Sequence, residues 1–526
     1  MCRIVSLDLF VIFLIVTIYM YHNIDTVSSS MSSNREFDIV FVVLSEYSSK
    51  FHHKRADAFH EALASQVKRT RLNFEALSVH EVYPDAWGAF AIWPIAHDLM
   101  ERYGNRSNWI MFVEEETRIN LLPLEKYLST LDATSDIFAG HGLIDRDTTI
   151  IHHYAFATSP KKLAEFRYPD TAAGILLSMP ALQVLADRVK QRHKSTGRRM
   201  DFIIDPKHEL AVMYSGSSSG IHAFDSESSN KDHEKPIYFK HDPRVFCVHN
   251  EEARDTNRVE ASCATYYLGD QNLKFCLKNP PLNDRSLYIA VKTYSGHHKT
   301  RVVVVKRTWG SKRWNIEYFS DTADVYIPTV HFPDIANTER GHCAKTLAVL
   351  KRFVENGPEV GDAPWLVIVD DDTLISVPRL MRLLRCYLPE EKIILGERYA
   401  YGFSPTAKTG YEYPTGGSGM VFSRSAATAL LERARCACPA PDSPDDMIIG
   451  MCSRDAGIRI THHAGFHQAR PQDYSPQYLA RRPLPVSFHK HSDIDPYSVY
   501  ENWLKDTRHD GFEDDLIEIN AGHEEL

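Results

Sequence analysis

No stretch of this sequence concentrates lysine and arginine. Acidic residues outnumber basic ones, 69 to 60, for a formal net charge of −9. A chain without a basic stripe has nothing to lay along a phosphate backbone, which argues against nucleic-acid binding. No two cysteines are spaced C-x-x-C, so the thioredoxin-like redox motif is missing. Cys436-x-Cys438 is too tight for a zinc knuckle. Long apolar runs are scarce as well. The exception is Leu9 to Tyr21, behind Arg3 and interrupted from Ile4 by Asp8. Its length suits a signal-peptide core, and no Ala-x-Ala cleavage site follows it. A cleaved signal peptide and an uncleaved single-pass anchor therefore both stay open. Residues 1–34 are read as this targeting segment.

What is present describes a folded, exported protein. Of 526 residues, 43% are hydrophobic and 25% charged, the balance of a globular chain long enough for two large domains. Beyond Cys2 the cysteines are Cys247, Cys263, Cys276, Cys343, Cys386, Cys436, Cys438 and Cys452. An even set of this kind fits disulfides in an oxidising compartment. Asn105-Arg106-Ser107 is a glycosylation acceptor sequence. The chain ends His523-Glu524-Glu525-Leu526, similar to a KDEL-type tetrapeptide, and so implies an ER-retrieval receptor as partner.

The sequence contains one motif twice. Trp109-Ile-Met-Phe-Val-Glu-Glu-Glu-Thr117 aligns without gaps on Trp365-Leu-Val-Ile-Val-Asp-Asp-Asp-Thr373, at an offset of 256 residues. Upstream, Tyr47-Ser48 with His52-His53-Lys54 echoes Tyr294-Ser295 with His297-His298-Lys299. Downstream, Gly174 to Ser178 echoes Gly419 to Ser423. Three echoes in the same order indicate two copies of one domain, too few for a solenoid. In the second copy Tyr288 to Thr293, Val302 to Val305, Trp365 to Val369 and Ile393 to Gly396 read as strands. Cys343 to Phe353 and Val377 to Tyr387 read as helices. Continuous apolar strands flanked by helices predict a mostly parallel sheet covered on both faces. The Ser- and charge-rich stretch from Gly216 to Lys240 reads as a linker.

Asp370, Asp371 and Asp372 directly follow a buried strand, at the edge where open α/β sheets bind ligands. Carboxylate oxygens there suit Mg²⁺ or Mn²⁺ and, through it, a diphosphate. Three acids alone fit a solvated turn capping the helix near Ser376 equally well; the surrounding motifs decide. Trp365 to Leu374 resembles the aspartate signature of the Fringe-like β1,3-glycosyltransferases. Arg301 with Arg307-Thr-Trp-Gly310 resembles that family's early Arg…Trp motif. Tyr413 to Ser423 resembles its glycine loop, Pro444-Asp-Asp-Met-Ile-Ile-Gly450 its second acidic motif, and Phe466-His467 its terminal histidine motif. All five stand in family order between about Leu287 and Lys490.

The resemblance implies an inverting, metal-dependent hexosyltransferase with a GT-A fold. Asp371 would contact the donor, with Asp370 in support, Arg301 the UDP portion, and Asp372 the metal. Asp446 beside Asp445 would be the general base. Gly416, Gly417 and Gly419 would admit the sugars close to the backbone. The family's Phe-His-x-His pattern is broken, since Ala469 stands at the second histidine; His467 is taken as the metal ligand, with His489 as the alternative. The duplicated first half and the Glu-Glu-Leu ending are similar to the O-fucose-specific glucosyltransferase branch of the ER. That branch implies UDP-glucose as donor, Mn²⁺ or Mg²⁺, and O-fucosylated thrombospondin type 1 repeats as acceptors. The first copy has Glu114, Glu115 and Glu116 for the aspartates and a region around His208-Glu209 for the second acidic motif. It reads as a degenerate, non-catalytic relative.

The expected organisation is two GT-A-like domains in tandem. A degenerate one spans 35–245, a linker region 246–285, a catalytic one 286–500 and a tail 501–526. The competing readings are a relative that transfers galactose or N-acetylglucosamine, a non-catalytic lectin-like protein of the ER, and a chaperone-like protein. UDP release in the presence of an acceptor separates the enzyme from the binding proteins.

Overall fold

The computed structural model describes residues 35–506 apart from 87–91, 145–165, 197–199, 204, 216–235, 249–262, 268–275, 277–278, 312, 336, 339–340, 356–359, 404–408, 433–435, 481–483 and 492. The targeting segment, most of the linker at 216–240 and the tail tetrapeptide lie outside the described residues. No helix among the described residues is long and apolar enough to cross a membrane.

Two sheets form the centres of two α/β units. In the first, the strand order is Lys240–His241, Phe138–Gly140, Ile175–Ser178, Ser107–Val113, Phe37–Val43, Phe74–Ser78. In the second it is Ile460–His462, Ile394–Gly396, Met420–Ser423, Trp365–Asp370, Leu287–Lys292, Asn315–Ser320, with Thr329–His331 added at the edge. Strand for strand, the two agree in chain order and in pairing sense. Ile175–Ser178 and its counterpart Met420–Ser423 run antiparallel to both neighbours, while the other shared pairings are parallel. The duplication read from the sequence is thus a duplication of topology, and each unit has the mostly parallel, helix-covered sheet of a GT-A-like fold.

The central strands carry no polar alternation because both faces are packed. Leu287, Ile289 and Val291 enter one apolar layer and Tyr288 and Ala290 the other; Trp365 and Val367 oppose Leu366 and Ile368 in the same way. Each such fully buried large side chain contributes roughly 1.5–3 kcal/mol. One expected strand is a helix. Val302 to Val305 lie in Arg301–Arg307, with Val302 and Val305 buried and Lys306 exposed. A three-residue spacing of buried valines is a helical face, and tertiary packing overrides the β preference of a valine run.

The units are interlocked. Met200–Ile203 from the first half pairs antiparallel with Arg398–Phe403 of the second, which pairs in turn with Tyr411–Pro414. Within 246–285, Phe246–Val248 and Thr265–Tyr267 extend a small sheet on Thr117–Ile119 of the first unit, closed by the disulfide Cys247–Cys263. Cys276 is tied to Cys386 in the second unit. Cys343–Cys438 and Cys436–Cys452 anchor the segment before the second acidic motif to the helices Cys343–Val354 and Asp445–Asp455.

Candidate active site

A cleft of about 620 Å³ opens at the carboxyl ends of Leu287–Lys292 and Trp365–Asp370, lined by the three aspartates, Arg301, Lys292, Lys345 and His489 among others. Both strands are apolar until their last residue, so the sheet delivers Lys292 and Asp370 side by side, in register. Lys292 Nζ lies 3.1 Å from Asp370 Oδ1 and 2.5 Å from Asp445 Oδ2. Burial opposes its charge, but the two carboxylates outweigh it and hold the ammonium well above its ordinary pKa. One lysine therefore joins the first acid of the triad to the first acid of the Pro444 motif.

Asp371 is buried and its oxygens are occupied from within the protein. Oδ2 accepts from Thr293 Oγ1 at 2.7 Å and from His297 Nδ1 at 2.9 Å, and Oδ1 accepts from Arg301 at 3.2 Å. The same Arg301 nitrogen lies 2.8 Å from Asp372 Oδ2. Asp371 thereby fixes the guanidinium at the cleft wall, half-exposed to whatever enters.

Asp370, Asp372 and His489 form a group whose ligand atoms all lie within 4.8 Å of one another. Two carboxylates and an imidazole are a donor set suited to a divalent cation. His489 Nδ1 lies 3.0 Å from the Gln468 carbonyl, a contact that turns Nε2 toward Asp372 Oδ1, 3.1 Å away. Burial works against the Asp372 charge, but His489 and Arg301 hold the carboxyl far below the usual range.

His467 does not reach this group. It is 1% exposed, its Nδ1 donates to the Ser487 carbonyl at 2.9 Å, and its ring stacks on Phe488 at 4.5 Å. Burial pushes its pKa down to about 4. The histidine at the carboxylates is instead the alternative, His489. It arrives because Ser487–His489 pairs antiparallel with Thr373–Ile375, in the register Thr373 to His489.

The glycine loop has a more specific task than admitting sugar. A Cβ on Gly417 would stand 2.3 Å from His489 Nδ1, so glycine is what seats the imidazole. Gly419 holds φ at +91°, a conformation that favours glycine. The Gly416 amide donates to Asp446 Oδ2 at 3.3 Å.

Asp445 and Asp446 open the helix Asp445–Asp455. Their surroundings push them apart. Asp445 is buried, yet Lys292 and a 2.6 Å bond from Thr346 Oγ1 hold it down to about 2. Asp446 is half-buried, and among the described residues no cation forms an ion pair with it. Burial, then the Asp445 charge, raise it to about 7 against bonds from the Gly416 and Met447 amides. Neighbouring acids set so far apart are the arrangement of a fixed charge beside a proton acceptor.

Sequence reasoning assigned no role to Lys292, Thr293, His297, Lys345 or Thr346. Lys345 donates to the Thr293 carbonyl at 2.8 Å and to Asn337 at 3.1 Å, and its burial lowers its pKa. A signal existed for Lys292, a lone charge closing a fully apolar strand, and for His297, already part of the repeated motif.

Comparison with known proteins agrees with this geometry. A family model described as Fringe-like matches residues 95–205 and 282–510. The human beta-1,3-glucosyltransferase is 40% identical over 483 residues, which cover 91% of this chain and 88% of that protein. The mouse beta-1,3-glucosyltransferase is likewise 40% identical, with 92% and 91% covered. Fringe glycosyltransferase of Drosophila melanogaster is 29% identical over 171 residues, 29% of this chain and 40% of that one.

Proposed function

Since this chain belongs to the Fringe-like family and is a β1,3-glycosyltransferase, we propose that it adds glucose from UDP-glucose, with inversion, to O-linked fucose on thrombospondin type 1 repeats. Asp370, Asp372 and His489 would hold Mn²⁺ or Mg²⁺, and Arg301, Lys292 and Lys345 would face the donor. A bound divalent ion supplies charge neutralisation for the departing diphosphate. Asp446 takes the proton of the acceptor hydroxyl. The freed oxygen bonds to the anomeric carbon as that carbon's bond to the UDP oxygen breaks, and UDP leaves. Lys292 keeps Asp445 ionised, and that charge helps keep Asp446 basic enough to accept the proton.

The observation that supports this reading is the Asp370–Lys292–Asp445 chain, in which one lysine links the metal-type donor group to the acid next to Asp446. Glucose rather than another hexose rests on the 40% identity to proteins named for that sugar. Four disulfides support residence in the oxidising secretory pathway, and the Glu-Glu-Leu ending supports retrieval to the ER lumen. The test is a panel of UDP-sugars with the full chain, Mn²⁺ and fucosylated repeats. Transfer from UDP-glucose alone is expected. Preference for UDP-N-acetylglucosamine or UDP-galactose would replace the donor, and no transfer from any would favour a lectin.

A further inference from the structure

The first unit repeats the acid edge of the second, and side chains of the second unit reach its buried Glu115 cluster. Glu115 accepts from His52 Nδ1 at 2.8 Å; Arg55 lies 3.6 Å from it and also pairs with Glu116. In the second unit Asp371 stands in the same relation to His297 and Arg301. There the likeness ends. His297 and Arg301 line an open cleft, whereas His52 turns its Nε2 to the hydroxyl of the second unit's Tyr387 at 2.9 Å. Beside it, Glu46 pairs with Arg398 at 2.6 Å and the Arg459 guanidinium lies 3.8 Å over the Tyr47 ring. Matching Gly174 to Gly419 puts Ala172 where Gly417 seats the imidazole. Among the described residues, a metal-type donor group occurs only in the second unit.

We propose that the ligand edge of the first unit is a sealed nucleotide-sugar site whose charged groups now position the acceptor side of the second unit. The link is continuous. Arg398 begins the strand Arg398–Phe403, which is held on one side by Met200–Ile203 of the first unit and on the other by Tyr411–Pro414. Tyr411–Pro414 runs into the loop whose Gly416 amide bonds the base Asp446. Glu46, Glu115 and His52 are thus positioning residues, remote from the donor and coupled to the acceptor. The proposal rests on the second cleft being the donor site.

The test uses the full chain. Calorimetric titration with UDP and Mn²⁺ should show one site per chain, retained in Glu114→Gln/Glu115→Gln/Glu116→Gln. A second binding event, or loss of the single one in that variant, overturns the proposal. Retention of binding in Asp372→Ala would instead overturn the reading of the second cleft. Glu46→Arg should lower kcat/KM for the fucosylated acceptor about tenfold, the size of a coupled contact, and Glu46→Arg/Arg398→Glu should restore most of it. UDP affinity should stay within about twofold throughout, as for uncoupled sites. Tyr387→Phe, which removes only a hydroxyl, should give a smaller loss in the same parameter. An equal fall in UDP affinity, no recovery in the reversed pair, or an unchanged acceptor kcat/KM in folded Tyr387→Phe would contradict it.

Discussion

As the proposed base, Asp446 can accept a proton only in its ionised form. With its carboxyl pushed up to about 7, transfer should rise with pH through about 7 and level off above it. In Asp445→Asn one of the two causes of that rise is removed, so the acid limb should move to lower pH; a pH profile of kcat/KM checks both. The histidines make a second contrast. His489→Ala should raise the Mn²⁺ concentration needed for half-maximal activity, and Gly417→Ala should mimic it, because the new methyl occupies the place of the ring. His467→Ala should lower the melting temperature and leave the metal requirement alone. A metal titration and a melting curve on each variant distinguish the two outcomes. The three aspartates were legible because strand, acids and threonine are contiguous in sequence. His489 was legible only as the alternative to His467, because only the pairing of Ser487–His489 with Thr373–Ile375 brings it across 117 residues to Asp372.

At the scale of elements, apolar continuity located the central strands to within a residue or so, since both faces of each are buried. Val302 to Val305 misled because four valines satisfy a strand pattern, while only the flanking Arg301, Lys306 and Arg307 reveal the helical face. Disulfide pairing was not legible; Cys436 and Cys438 are sequence neighbours whose partners lie on different helices. The bridge Cys436–Cys452 spans 16 residues across the segment carrying the proposed base, Asp446. Replacing both cysteines by serine should destabilise the protein by about 3 kcal/mol through the freed loop. Denaturant midpoints should show that loss, with UDP affinity at low temperature unchanged.

For the whole molecule, the repeat announced two copies of one fold, and the identical strand order bears this out. The contact between the copies was not legible, because an acidic edge in a degenerate copy reads the same whether solvent or protein covers it. Here Glu115 is buried while Glu114 and Glu116 stay partly exposed, and on the proposal above Glu115 holds the seam. Glu115→Ala leaves His52 without its carboxylate partner in a buried setting and should cost about 1–3 kcal/mol of stability, seen as a lower unfolding midpoint. An unchanged midpoint would mean that the seam between units is weaker than its geometry.

The central claim is that one cleft in the second unit performs base-assisted transfer. Its most direct test is Asp446→Asn, with UDP binding and product formation measured on the same folded sample by calorimetry and NMR of the disaccharide. The account predicts UDP–Mn²⁺ affinity near that of the unaltered protein, with β1,3-linked product formed roughly 10²–10⁴-fold more slowly. Product formed at the unaltered rate would contradict it.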